Sequence, residues 1–142
     1  MKINVKSVFT SGLISGLVIS LSAISMVPVV GNEMDVVLAS RGVPPLSNLA
    51  MVFFCSLSFI RGISLVWLYA LVKEHLGSGI KTALIVSFIF WFVTYFIDNA
   101  SLLAYGFMPV KLTVIGTLWG LGELLLAGIV GSKLYKDVKH NH

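Results

Sequence analysis

Charge is what this chain has least of. Lys and Arg number 10 and Asp and Glu 6 among 142 residues, 11% in all, where soluble domains carry about 25%. Cysteine occurs once, as Cys55. That excludes an intrachain disulfide and a Cys-x-x-Cys redox pair, and reads as a small packing residue. Of the 3 histidines, His75 sits in a loop, and His140 and His142 in the tail. None falls in an apolar run, so a haem held between two intramembrane histidines is excluded. The His140-Asn141-His142 tail reads as solvated rather than as a metal site. There is no H-E-x-x-H and no G-x-S-x-G. No Ser, His and Asp converge. The expectation is a non-enzyme with no cofactor and no metal.

Two further classes are set aside. Gly77-Ser78-Gly79-Ile80-Lys81-Thr82 looks like a phosphate loop, but Ile80 stands where the motif needs glycine directly before the lysine. The segment also comes after an apolar run rather than a strand, so no nucleotide is expected. The formal charge of +4 does not imply nucleic acid, because the basic residues are spread over tails and loops rather than gathered on one face.

What is present is hydrophobic length. Residues 8–30, 49–72, 82–105 and 111–134 form four apolar runs, each near or above the roughly 20 residues that a bilayer core requires. They predict an all-α polytopic membrane protein, one domain over 1–142, built as an up-down bundle of four transmembrane helices. Pro28 and Gly31 are expected to end the first span. Asn32 then reads as the N-cap of a short interfacial helix over 32–41. Lys2, Lys6, Lys73, Lys81, Lys133, Lys136 and Lys139 fall on one side of that topology, and Arg41 and Lys111 on the other. The positive-inside rule then puts both termini in the cytoplasm. The apolar stretch after Lys6 exceeds the 7–15 residues of a signal core, so it reads as a retained span.

Three ionisable residues interrupt the runs: Arg61, Asp98 and Glu123. Each costs at least about 2.5–3.5 kcal/mol at a membrane helix centre, so each should face the bundle and find a partner. Arg61 and Glu123 lie near the middle of their spans. Asp98 is roughly 5–9 Å nearer the outer end at 1.5 Å per residue. The expected arrangement pairs Arg61 with Glu123, with Asp98 as second partner or competitor. Gly116, Gly120, Ala127 and Gly131 share a helical face with Glu123, which makes the last run the expected packing spine. Gly12 and Gly16 form a G-x-x-x-G in the first span, suited to close helix approach.

Trp67-Leu68-Tyr69-Ala70, Gly77-x-Gly79-x-Lys81-Thr82-Ala83, Trp119 with Glu123, and Gly131-x-x-Leu134-Tyr135 together resemble a group of small four-span bacterial integral membrane proteins with no assigned activity. The loop Gly42-Val43-Pro44-Pro45 fits the same pattern. The group often carries prolines beside the two turn glycines, where this chain has His75, Ser78 and Ile80. The resemblance implies a bacterial inner-membrane setting and no particular function. Small multidrug transporters, also four-span, carry their membrane carboxylate in the first span, which here has no acid.

Two readings remain open. One is a structural, accessory or regulatory inner-membrane protein, with the lipid bilayer and a membrane protein as its partners. The other is a homo-oligomeric small transporter or channel using Glu123, Asp98 and Arg61. They differ over Glu123: dry and paired in the first, beside a water-accessible cavity in the second.

Overall fold

A computed structural model describes residues 3–138. Lys2, Lys139, His140 and His142, which bear on topology and metal binding, lie outside the described residues. The described chain is helical, with no strand. It forms α1 (Val5–Ser40), α2 (Asn48–Leu76), α3 (Ile80–Trp91), a π-helical turn (Phe92–Phe96), α4 (Ile97–Ala104) and α5 (Val110–Leu134). α3, the π turn and α4 are continuous, so the described residues form 4 helices long and apolar enough to cross a membrane.

The expected break at Pro28 and the separate helix over 32–41 are not there. α1 runs unbroken for 36 residues with Pro28 inside it. Proline removes one N–H and so frees one carbonyl, that of Ile24, a loss that membrane helices tolerate. At 1.5 Å per residue α1 is about 54 Å long, well beyond a hydrocarbon core of about 30 Å. What ends the helix is Gly42. Its φ of +77° is open to glycine and strained for other residues. It lets Gly42 N–H reach Ala39 O and Val43 N–H reach Leu38 O, both at 3.0 Å, closing the last turn as a Schellman motif. Gly106, at φ +70°, closes α4 in the same way through Leu103 and Leu102.

α5 alone touches every other element among the described residues. α1 packs along both α2 and α5, and α3 packs on α5. The tightest backbone-to-backbone approach is between α1 and α2. A Cβ on Gly62 would lie 2.3 Å from Gly16 N and 2.4 Å from Gly12 O, and one on Gly12 would lie 2.5 Å from Ile63 Cα. Backbone meets backbone here, and only glycine fits.

Both ends of the bundle carry polar fastenings. At one end Asn4 N–H donates to Tyr135 Oη at 3.1 Å and Lys136 N–H to Ser7 Oγ at 2.8 Å. Lys73 pairs with Asp137 beside them. At the other end Arg41 donates to the Gly106 and Phe107 carbonyls, and Lys111 pairs with Glu33 at 3.2 Å.

Gly62→Ala should lower stability by about 1–3 kcal/mol, the usual cost of overpacking. Gly116→Ala, where a Cβ would meet nothing within 4 Å, should leave it within about 0.5 kcal/mol. Equilibrium unfolding in mixed micelles, monitored by circular dichroism, measures both. Equal effects would contradict the close-approach geometry.

Candidate functional site

The polar interior is built on α5 and completed by α2 and the π turn. Glu123 is buried at 6% exposure. Its carboxylate does not touch Arg61. Tyr95 stands between them: Arg61 Nη1 donates to Tyr95 Oη at 2.8 Å, and Tyr95 O–H donates onward to Glu123 Oε1 at 3.5 Å. The guanidinium also lies over the Tyr95 ring, 4.8 Å from its centroid, a cation–π contact. The expected direct ion pair is thus replaced by a relay through a phenol. The reason is steric. Gly120 has no side chain, so the Tyr95 ring packs against α5, where a Cβ on Gly120 would be 2.8 Å from its Cδ1. The ring occupies the space between the acid and the base.

Asp98 is not part of the cluster. It is exposed and has neither a hydrogen bond nor an ion pair among the described residues. The π turn explains this. One extra residue in a turn rotates the remainder of the helix by about 100° around the axis. Counted at helical spacing from Trp91, Asp98 would face α5. After the π turn that register falls to Asn99, whose Nδ2 donates to Thr117 Oγ1 at 2.9 Å. Trp91 Nε1 donates to Thr117 O at 2.8 Å, so Trp91, Tyr95 and Asn99 form one line against α5. Sequence reasoning missed Asn99.

The small residues divide similarly. Ala127 is fully buried and its carbonyl accepts from Ser15 Oγ at 2.9 Å. A Cβ on Gly131 would lie 2.4 Å from Ser15 Oγ and 2.5 Å from Val66 Cγ2. Gly12, Gly16 and Gly120 are likewise in close contact with facing elements. Gly116 is not a packing residue: it borders a cavity. Gly62 and Gly128 are close contacts that spacing did not single out. A Cβ on Gly128 would lie 3.4 Å from Ala83 O and closer still to the Ser87 side chain. Their signal is present only in pairs, because a glycine matters when another small residue faces it. Cys55 is exposed rather than packed inside.

A cavity of about 100 Å³ lies between α1, α4 and α5, lined by Met34, Asn99, Leu102, Met108, Leu112 and Thr113, with Gly116. Glu123 does not line it. Trp119 Nε1 donates to Ser22 O at 3.1 Å, tying α5 to α1 one turn from Glu123. No metal-ligand cluster of three His, Cys, Asp or Glu occurs among the described residues. The chemistry on offer is a hydrogen-bonded chain from base to phenol to acid, with each group held by a different element.

No protein-family model, curated protein or solved structure matches this chain.

Tyr95→Phe keeps the ring over Gly120 and removes the hydroxyl. It should lower stability by about 1–2 kcal/mol, since both charged partners lose a hydrogen bond. Asp98→Ala should lower it by less than about 0.5 kcal/mol in the monomer. Unfolding in the same micelles would refute the relay if Tyr95→Phe proved neutral.

Proposed function

We propose that this chain is a multi-pass bacterial inner-membrane protein with a structural, accessory or regulatory role and no reaction of its own. The observation that carries this reading is the state of Glu123: buried, away from the cavity, and joined through Tyr95 to Arg61. A carboxylate that moved protons or ions would need water beside it, and here side chains from three elements surround it. The groups are positioned to hold α2, the π turn and α5 in register.

The proposed topology is an up-down bundle with both termini cytoplasmic. Two kinds of observation support it. Asn4 bonds to Tyr135 and Lys73 to Asp137, which gathers the start of α1, the segment just after α5 and the end of α2. Lys6, Lys73, Lys133 and Lys136 lie toward that end, as the positive-inside rule requires of a cytoplasmic face. The resemblance to small four-span bacterial membrane proteins points to the same setting.

One observation favours a transporter or channel instead. Asn99 both lines the cavity and bonds Thr117, one turn from Tyr95, so a polar column leads from the cavity toward Glu123. A flux measurement separates the two. The full chain in liposomes, given a proton or potassium gradient and a pH-sensitive dye, should leak no faster than protein-free vesicles. A protein-dependent flux that Glu123→Gln abolished would overturn the structural reading. Fluorescent-protein and alkaline-phosphatase fusions test the topology separately. A C-terminal fluorescent protein should glow and a C-terminal phosphatase should be inactive, and the reverse would invert the orientation.

A further inference from the structure

Several stretches toward the Arg41 end of the bundle contain no buried residue, and the first half of α2 is one of them. No residue from Ser47 to Leu57 is buried. Met51, Val52, Phe53 and Phe54 are four successive residues, which cover a full helical turn. They are 53%, 63%, 62% and 54% exposed. The first half of α2 is therefore thinly covered, with Ala50 and Leu57 alone partly buried in this stretch. Glu33–Lys111 and Arg41 with the Gly106 and Phe107 carbonyls hold α1 to α4 and α5. The first half of α2 makes no contact with α4, which likewise has no buried residue, so the two diverge beyond the Arg61–Tyr95 contact and leave a groove between them.

Two charges at that groove have no direct ion-pair partner among the described residues of one chain. Asp98 has no partner among the described residues. Arg61 uses one nitrogen on Tyr95 and has no ion pair among them. The two are close in depth: Asp98 lies three residues, about 4.5 Å, beyond Tyr95, the residue that holds Arg61. An uncompensated charge is costly in hydrocarbon, and membrane helices answer it by pairing.

We propose that a second copy of this chain occupies the groove, with the first half of each α2 packed beside α4 of the other. Asp98 of one copy then meets Arg61 of its partner, twice over by symmetry. Charge complementarity selects a second copy as the occupant. The groove presents both an acid and a base, and a twofold partner brings the matching base and acid at the matching depth. Ala50, Phe54, Leu57 and Arg61 recur at helical spacing along α2 and form the contact stripe. Arg61 then sits between Glu123 of its own chain and Asp98 of the other, which completes the cluster that one chain leaves open. This inference deepens the structural reading by naming the partner.

The test uses the full chain in liposomes. Cys55 is the single cysteine and is exposed. It lies about a third of a turn from the contact stripe, so it takes a donor or an acceptor dye without blocking the groove. Energy transfer should rise with protein-to-lipid ratio along a monomer–dimer curve. Asp98→Asn should move the midpoint roughly 10-fold or more toward higher density, with helix content unchanged. Leu57→Cys in a Cys55→Ser background, which leaves both charges in place, should give a disulfide-linked dimer on mild oxidation. A chain that stays monomeric at every density, an Asp98→Asn curve that overlays the wild type, or no cross-link at Leu57→Cys would each overturn the proposal. The flux assay in the same vesicles reports on the structural reading independently, so failure of one is distinguishable from failure of the other.

Discussion

Helices in lipid gain little from burying apolar side chains against each other, because the surrounding acyl chains are equally apolar. What holds them together is close packing and polar contact. In this protein the closest meeting of backbones is that of Gly12, Gly16 and Gly62, where α1 and α2 approach without side chains between them. The same device recurs where α5 receives its neighbours. Gly120 admits the Tyr95 ring, Gly128 admits Ser87, and Gly131 admits Ser15 and Val66. The polar interior depends on these approaches. Tyr95 reaches Glu123 only because Gly120 has no side chain in its way, and Ser15 reaches the Ala127 carbonyl because Gly131 lets α1 come close.

Packing is uneven along the bundle. Where Asn4, Ser7, Tyr135 and Lys136 join, Tyr69 and Tyr135 also stack edge to face, 6.3 Å apart, and most of the core lies toward that end. Toward the other end the fastening is done by a few exposed polar contacts. The relay from Arg61 to Tyr95 to Glu123 lies between these regimes and links the thinly covered half of α2 to the rest. A buried polar chain of this kind specifies register more than it adds stability, since each group must first be taken out of water.

Much of the fold was legible in the sequence, and specific residues show why some of it was not. Four apolar runs are sufficient to indicate four helices long enough to cross a membrane, because in lipid a spanning segment must satisfy its backbone internally. Pro28 misled because its local effect, one lost hydrogen bond, is small beside the rest of a helix with 36 residues, whereas Gly42 supplies the geometry that ends it. Asp98 misled because periodicity assumes an unbroken α-helix. The π turn at Phe92–Phe96 carries no signature in its residue types, and it exchanges Asp98 for Asn99 on the inner face.

Composition and hydrophobic length by themselves determined the helical class, the number of long apolar helices and the mid-helix positions of Arg61 and Glu123. Those properties arise from bilayer thickness and helical rise, and both act along the chain. Tertiary structure alone decided that a phenol stands between acid and base, that Asn99 replaces Asp98, and that Gly62 and Gly128 are close contacts while Gly116 borders a cavity. Each of these depends on what faces a residue across a helix interface, and spacing along one stretch of sequence contains no information about the opposite wall.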